Sequence, residues 1–87
     1  MKVTILEQPT VEHQRTTYKV NIKIEDKVYY VARQDIDGKI HTYIKDVHGS
    51  PVDEEVVKVV DALFATDEFN WSDRNQWLAD KVFELNV

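Results

Sequence analysis

The chain has 87 residues, no cysteine and a formal net charge of −5, and 43% of its residues are hydrophobic. This length predicts a single domain, 1–87, and the composition argues against a disordered chain; the absence of cysteine excludes disulfides and thiolate chemistry. No apolar run approaches a signal-peptide core or a membrane span, so we expect a cytoplasmic protein with no membrane partner.

The first half of the chain, residues 1–48, alternates between apolar and polar residues, which is typical of strands in a sheet. Strands are predicted over 2–6, 16–25, 28–34 and 39–45. Asp37-Gly38 suits a tight hairpin turn, because both residues tolerate positive φ angles. Short turns predict an antiparallel meander. Residues 8–15 contain a proline and are mostly polar, so either a long loop or a mobile arm fits them.

After Gly49 the apolar residues recur with a helical period. A first helix is predicted over 50–65, with Ser50 as its N-cap and Pro51 in its first turn. A second helix is predicted over 71–86, with Leu78, Val82 and Leu85 as its apolar stripe. The predicted fold class is therefore α+β: a three- to four-stranded antiparallel meander sheet followed by two helices packed on one face, a two-layer sandwich. The other face of the sheet is then open.

Residues with catalytic or metal-binding chemistry are scattered. The three histidines, His13, His41 and His48, do not have the spacing of metal ligands, and two glycines are too few for a phosphate-binding loop. The carboxylates gather at predicted helix starts, which water solvates, whereas a catalytic pair needs a desolvated carboxyl group. We therefore expect a protein that is not an enzyme, with no cofactor and no metal.

Acidic residues are concentrated in the second half of the chain. Residues 1–50 carry eight basic and seven acidic side chains, whereas residues 51–87 carry three and nine. Such a surface suits a protein partner with a basic surface, and we expect a nucleic-acid mimic that inhibits a nucleic-acid-handling protein, comparable in size and charge to small phage-encoded inhibitors. Tryptophans, which are enriched in binding hot spots, add to it. The predicted partner-binding residues are Glu54, Glu55, Asp61, Asp67, Glu68, Phe69, Trp71, Asp73 and Trp77.

Two alternatives to this hypothesis are open. A sheet face that mixes lysines with tyrosines is typical of binders of single-stranded nucleic acid, in which cations contact phosphates and rings stack on bases. A net charge of −5 would repel a polyanion unless the charges are strongly divided, which makes nucleic acid the less favoured partner. The residues of that face are predicted to be Lys19, Lys23, Tyr29, Arg33, Tyr43 and Lys45. The other alternative is a structural homo-oligomer, and both a monomer and a homodimer fit the sequence.

Overall fold

In the part of the chain that the structure describes, the protein forms an antiparallel sheet of six strands with one α-helix, which is an α+β fold. The computed structural model describes residues 1–12, 17–69 and 77–86. The elements are β1 (Lys2–Ile5), β2 (Thr10–Glu12), β3 (Thr17–Ile24), β4 (Lys27–Ile36), β5 (Lys39–Asp46), α1 (Glu54–Phe64), a 3-10 turn (Asp67–Phe69) and β6 (Val82–Glu84). Within the described part of the chain, no helix is long and apolar enough to cross a membrane.

The strands lie in the order β5-β4-β3-β1-β6, and every pair is antiparallel. The predicted meander is confirmed for β3, β4 and β5. The remaining edge of β3 is shared, because β2 pairs with residues 17–19 and β1 pairs with residues 22–24. Residues 10–12 therefore form a strand that sequence reasoning missed, since three residues are too few to show an alternation.

Both hairpins of the meander use two-residue turns. Ile24 pairs with Lys27, and Ile36 pairs with Lys39. In the second turn the φ angles of Asp37 and Gly38 are 54° and 80°. Two positive φ angles define the turn type whose twist matches that of antiparallel strands, so the Asp-Gly signal is confirmed.

The hydrophobic core lies between one face of the sheet and α1. Alternate residues of the strands point into it, and Val59, Val60 and Leu63 of α1 cover them. Burying a side chain of this size stabilises the fold by about 1.5–3 kcal/mol. The fully buried members from the sheet are Val3, Ile5, Ile22 and Val31. The helical period of the apolar residues after Gly49 is thus confirmed for α1.

The first helix begins four residues later than predicted. Ser50 is held by the end of β5 instead of capping the helix, because its backbone N–H donates to Asp46 Oδ1 at 3.0 Å and its carbonyl accepts from the Asp46 N–H at 3.2 Å. Pro51 forms a bridge with Lys45. Asp53 occupies the cap position with an extended backbone and makes no side-chain cap hydrogen bond.

The prediction of a second helix over 71–86 is wrong for its second half, and residues 70–76 lie outside the described residues. Val82–Glu84 forms β6, which pairs with β1. Phe83 and Leu85 are buried, whereas Val82 is 52% exposed and Glu84 is exposed. The apolar spacing in this short segment fits both a helix and a strand, and pairing with β1 decides between them.

Candidate functional site

The predicted partner-binding residues fall into three groups. Glu54 and Glu55 are exposed in the first turn of α1, and Asp67 is exposed in the 3-10 turn, where Glu68 is half-buried. Trp77 is 70% exposed. The four acidic residues belong to helical elements, whereas Trp77, which is predicted within the second helix, has no regular secondary structure. Trp71 and Asp73 lie outside the described residues. Asp61 and Phe69 contact other side chains of the protein.

Phe69 belongs to the core, and its prediction as a partner contact is wrong. It is only 3% exposed, and its ring centroid lies 5.2 Å from that of Phe64 and 5.5 Å from that of Phe83. Tyr18 packs edge-on against the same cluster, with a centroid distance of 6.1 Å to Phe69. Burial raises the pKa of the Tyr18 hydroxyl above its ordinary value. The aromatic residues near the end of α1 thus seal the core instead of forming a partner surface.

Arg33 lies on the helix side of the sheet, so its prediction as a nucleic-acid contact is wrong. Its guanidinium carbon stands 4.2 Å from the centroid of the Phe64 ring. Nε donates to Thr42 Oγ1 at 3.1 Å, and Nη2 contacts Asp61 Oδ1 at 3.1 Å. Desolvation lowers the pKa of Arg33, and the Asp61 carboxylate opposes that shift. Asp61 therefore pairs within the molecule and contributes little negative charge to a partner.

Tyr29 also points toward the helix. Tyr30 lies on the open side of the sheet, where the sequence predicts Tyr29. Tyr29 lies opposite Ile22 and is half-buried against the core. Both faces of β4 carry apolar residues, so alternation alone does not assign them. Val31, which is fully buried, fixes the phase and sends Tyr30 to the opposite face.

The face of the sheet opposite α1 is called the open face. Its residues lie in rows across β3, β4 and β5, set by the strand register: Lys23–Val28, Asn21–Tyr30–Lys45, Lys19–Ala32–Tyr43 and Thr17–Gln34–His41. Tyr30 and Tyr43 are 41% and 50% exposed, whereas Thr17 is buried. Tyr43 lies two residues from Lys45, the residue opposite Tyr30, which makes the two tyrosines diagonal neighbours. Diagonal neighbours are separated by about 7–8 Å, within reach of one another for aromatic side chains.

Positive charge collects on the open face. The register also places Lys2 of β1 and Lys39 of β5 there. The acidic residues that it places there are Glu12, opposite Thr17, and Glu84, which lies 3.9 Å from the N-terminal amine. Within the described residues, the Lys2, Lys23, Lys39 and Lys45 ammonium groups make no ion pair. Sequence reasoning identified Lys19, Lys23, Tyr43 and Lys45 of this face and missed Lys2, Tyr30 and Lys39.

A shallow groove of about 590 Å³ separates the start of α1 from the end of the meander. Asp46 lies in its lining and accepts the backbone N–H groups of His48 and Ser50 at 2.9 and 3.0 Å. These two hydrogen bonds lower the pKa of Asp46. Among the described residues, no three histidine, aspartate or glutamate side chains are grouped so that they could hold a metal ion. His41 and His48 are exposed, and His13 lies outside the described residues.

Comparison with protein-family models, curated proteins and solved structures finds no match to this chain. The chemistry of its surfaces therefore carries the functional conclusion.

Proposed function

We propose that the protein is a binding module that holds single-stranded nucleic acid on the open face. The observation that carries this proposal is the division of charge between the two sides of the sheet. Lys2, Lys19, Lys23, Lys39 and Lys45 share one face, and the exposed acidic residues of α1 and the 3-10 turn lie on the other. A ligand approaching the open face meets a basic surface despite the net charge of −5.

Distance and screening decide whether the acidic side matters to such a ligand. The molecule measures 22 Å in its shortest dimension. The Debye length at physiological ionic strength is about 8 Å, so charges on opposite surfaces are separated by more than two Debye lengths. The acidic residues of α1 therefore act weakly on a strand bound to the open face. The net charge argues against a nucleic-acid ligand when the sequence is considered alone. Once the charges are divided between the two sides, it is only a weak argument against such a ligand.

The tyrosines give the open face a preference for unpaired strands. Tyr30 and Tyr43 are exposed neighbours, and Ala32, directly opposite Tyr43, has a small side chain that leaves space beside the ring. Sheets that bind single strands stack two or three bases on rings arranged in this way. Each stacked base contributes about 1–3 kcal/mol, and a duplex does not offer its base faces.

The test is fluorescence anisotropy of a labelled mixed-sequence 12-mer, as single-stranded DNA, single-stranded RNA and duplex, from 50 to 200 mM salt. We expect single strands to bind more tightly than the duplex. If three or four lysines contact phosphates, the slope of log K against log salt is about −2 to −3. Tyr43→Ala and Tyr30→Ala should each weaken binding by about fivefold or more.

A matched pair of charge variants controls the experiment. Lys45→Gln and Lys58→Gln remove the same charge from the open face and from α1, where Lys58 is exposed. Lys45→Gln should reduce the salt slope by about 0.7, and Lys58→Gln should leave it unchanged. Equal effects of the two variants would contradict the assignment of the face. Unchanged anisotropy at 50 mM salt and 100 µM protein, both chosen to favour weak binding, would overturn the function.

A second candidate function is docking of a basic protein partner on the helical side, as an inhibitor. Exposed Trp77 favours it, because a tryptophan in water at 70% exposure is unusual outside interfaces. The acidic contribution comes from Glu54, Glu55 and Asp67. Glu54→Lys with Glu55→Lys should abolish salt-sensitive retention of a purified basic partner, whereas Lys58→Gln should not. Retention of that partner by the double variant would contradict this candidate.

A further inference from the structure

The tyrosines of the open face have polar neighbours that can distinguish one base from another. Asn21 lies directly across β3 and β4 from Tyr30. On the other side of the pair, His41 is two positions before Tyr43 on β5, and Gln34 lies directly opposite His41. Each ring thus has a side-chain amide nearby on the same face.

These amides are not used by the fold. Within the described part of the chain, the side chains of Asn21 and Gln34 make no hydrogen bond, although both residues are half-buried. This differs from Gln8, whose Oε1 accepts the backbone N–H groups of Leu78 and Ala79 at 2.8 and 3.3 Å. The polar atoms of both amides are accessible to water, so a ligand that offers the complementary donor and acceptor can replace that water and gain selectivity.

We infer that the open face selects adenine, with Asn21 reading the base stacked on Tyr30 and Gln34 reading the base stacked on Tyr43. This inference rests on the proposed function of the open face. A side-chain amide carries a donor and an acceptor side by side. The N6 amino group and N7 of adenine present the complementary pair, and Asn and Gln bind them bidentately. In a single strand these edges are free, whereas phosphate contacts alone would bind every sequence equally.

The positions of the lysines and the amides predict which residues set the affinity of the site and which set its selectivity. The amides flank the rings, and Lys19, Lys23 and Lys45 lie around them. The lysines therefore set the affinity for any strand, and the amides set the ratio between strands. We expect adenine oligomers to bind about fivefold to tenfold more tightly than cytosine or thymine oligomers, since tenfold corresponds to 1.4 kcal/mol and one bidentate contact is worth about 1–3 kcal/mol.

The experiment measures dissociation constants for labelled dA8, dC8 and dT8 at several salt concentrations from 50 to 200 mM, for wild type, Asn21→Ala, Gln34→Ala and Lys45→Gln. Asn21→Ala and Gln34→Ala should each reduce the dA8:dC8 affinity ratio toward one and leave the salt slope unchanged. Lys45→Gln should weaken all three oligomers equally and keep the ratio. Circular dichroism confirms that each variant is folded, and the two amide variants test the inference independently of each other.

The possible outcomes distinguish failure of adenine selection from failure of the proposed single-strand binding on which it rests. Equal affinities of wild type for the three oligomers would overturn adenine selection and leave binding of single strands intact. A preference for adenine that both amide variants retain would also overturn it, because stacking alone would then explain the preference. Failure of all three oligomers to bind would overturn both.

Discussion

Replacing Arg33 by alanine removes its side-chain contacts with Phe64 and Asp61 of α1 and with Thr42 of β5. The cation over the Phe64 ring, at 4.2 Å, contributes about 1 kcal/mol in a partly buried site. The hydrogen bond to Thr42 contributes about 1 kcal/mol. The ion pair with Asp61 contributes about 0.5 kcal/mol, because the Asp61 side chain is 60% exposed and water screens the pair. Arg33→Ala should therefore lower the free energy of unfolding by about 2–3 kcal/mol.

Asp61→Asn is the informative comparison, since it removes the ion pair and keeps the packing of Arg33 on Phe64. It should cost less than about 1 kcal/mol. Arg33→Lys keeps the charge and loses the flat guanidinium, so its cost should fall between the two. Urea unfolding followed by circular dichroism gives all three values. In a domain of this size, the alanine variant should melt roughly 10–20 °C below wild type.

Two results would refute this reasoning. If Asp61→Asn costs as much as Arg33→Ala, the ion pair dominates and the packing on Phe64 contributes little. If Arg33→Ala, measured at a temperature where it is folded, weakens oligonucleotide binding more than Lys45→Gln does, Arg33 contacts the ligand. The assignment of Arg33 to the helix side of the sheet would then be wrong.

Two further predictions concern the core and the loop before α1. Leu63 is fully buried, so Leu63→Ala should lower the free energy of unfolding by about 3 kcal/mol in urea, and a loss below about 1 kcal/mol would contradict the packing of α1 on the sheet. The pKa of Asp46 is lowered by the His48 and Ser50 N–H groups, so its stabilisation is present above the unfolded-state pKa and is lost as the pH falls through the folded-state pKa. Below about pH 4 the melting temperature of wild type should therefore fall more steeply than that of Asp46→Asn, and parallel curves between pH 7 and pH 3 would contradict the contribution of this loop.

The meander and α1 could be predicted because their patterns are long. β3 has eight residues in strict alternation, with Val20, Ile22 and Ile24 on one side, and α1 carries its stripe over three turns. The two short strands were missed because β2 and β6 have only three residues each. Their formation depends on an unpaired edge supplied by β3 or β1, which is a property of the assembled sheet and not of the local sequence.

The candidate site was predicted in part. The lysines were assigned correctly where the strand alternates cleanly, as with Lys19 and Lys23 on β3. On β4 the run Val28–Ala32 is apolar on both faces, and the choice of Tyr29 over Tyr30 placed the ring on the wrong side. The same error assigned Arg33 to the open face. The contact of Val31 with the core decides which alternate residues of β4 face the helix, and a single sequence does not show that contact.

The position of β1 has a consequence for the order in which the chain can fold. β1 lies between β3 and β6, so residues 2–5 acquire their second neighbour only when residues 82–84 arrive. The bond from the Met1 amine to the Leu85 carbonyl joins groups separated by 84 positions. The meander forms through local turns. Pairing of β1 with β6 instead brings together residues about 80 positions apart, and such non-local contacts form slowly. During synthesis the ring cluster around Phe69 therefore lacks Phe83 until residues 82–84 leave the ribosome, and the growing chain keeps that apolar surface exposed throughout the interval.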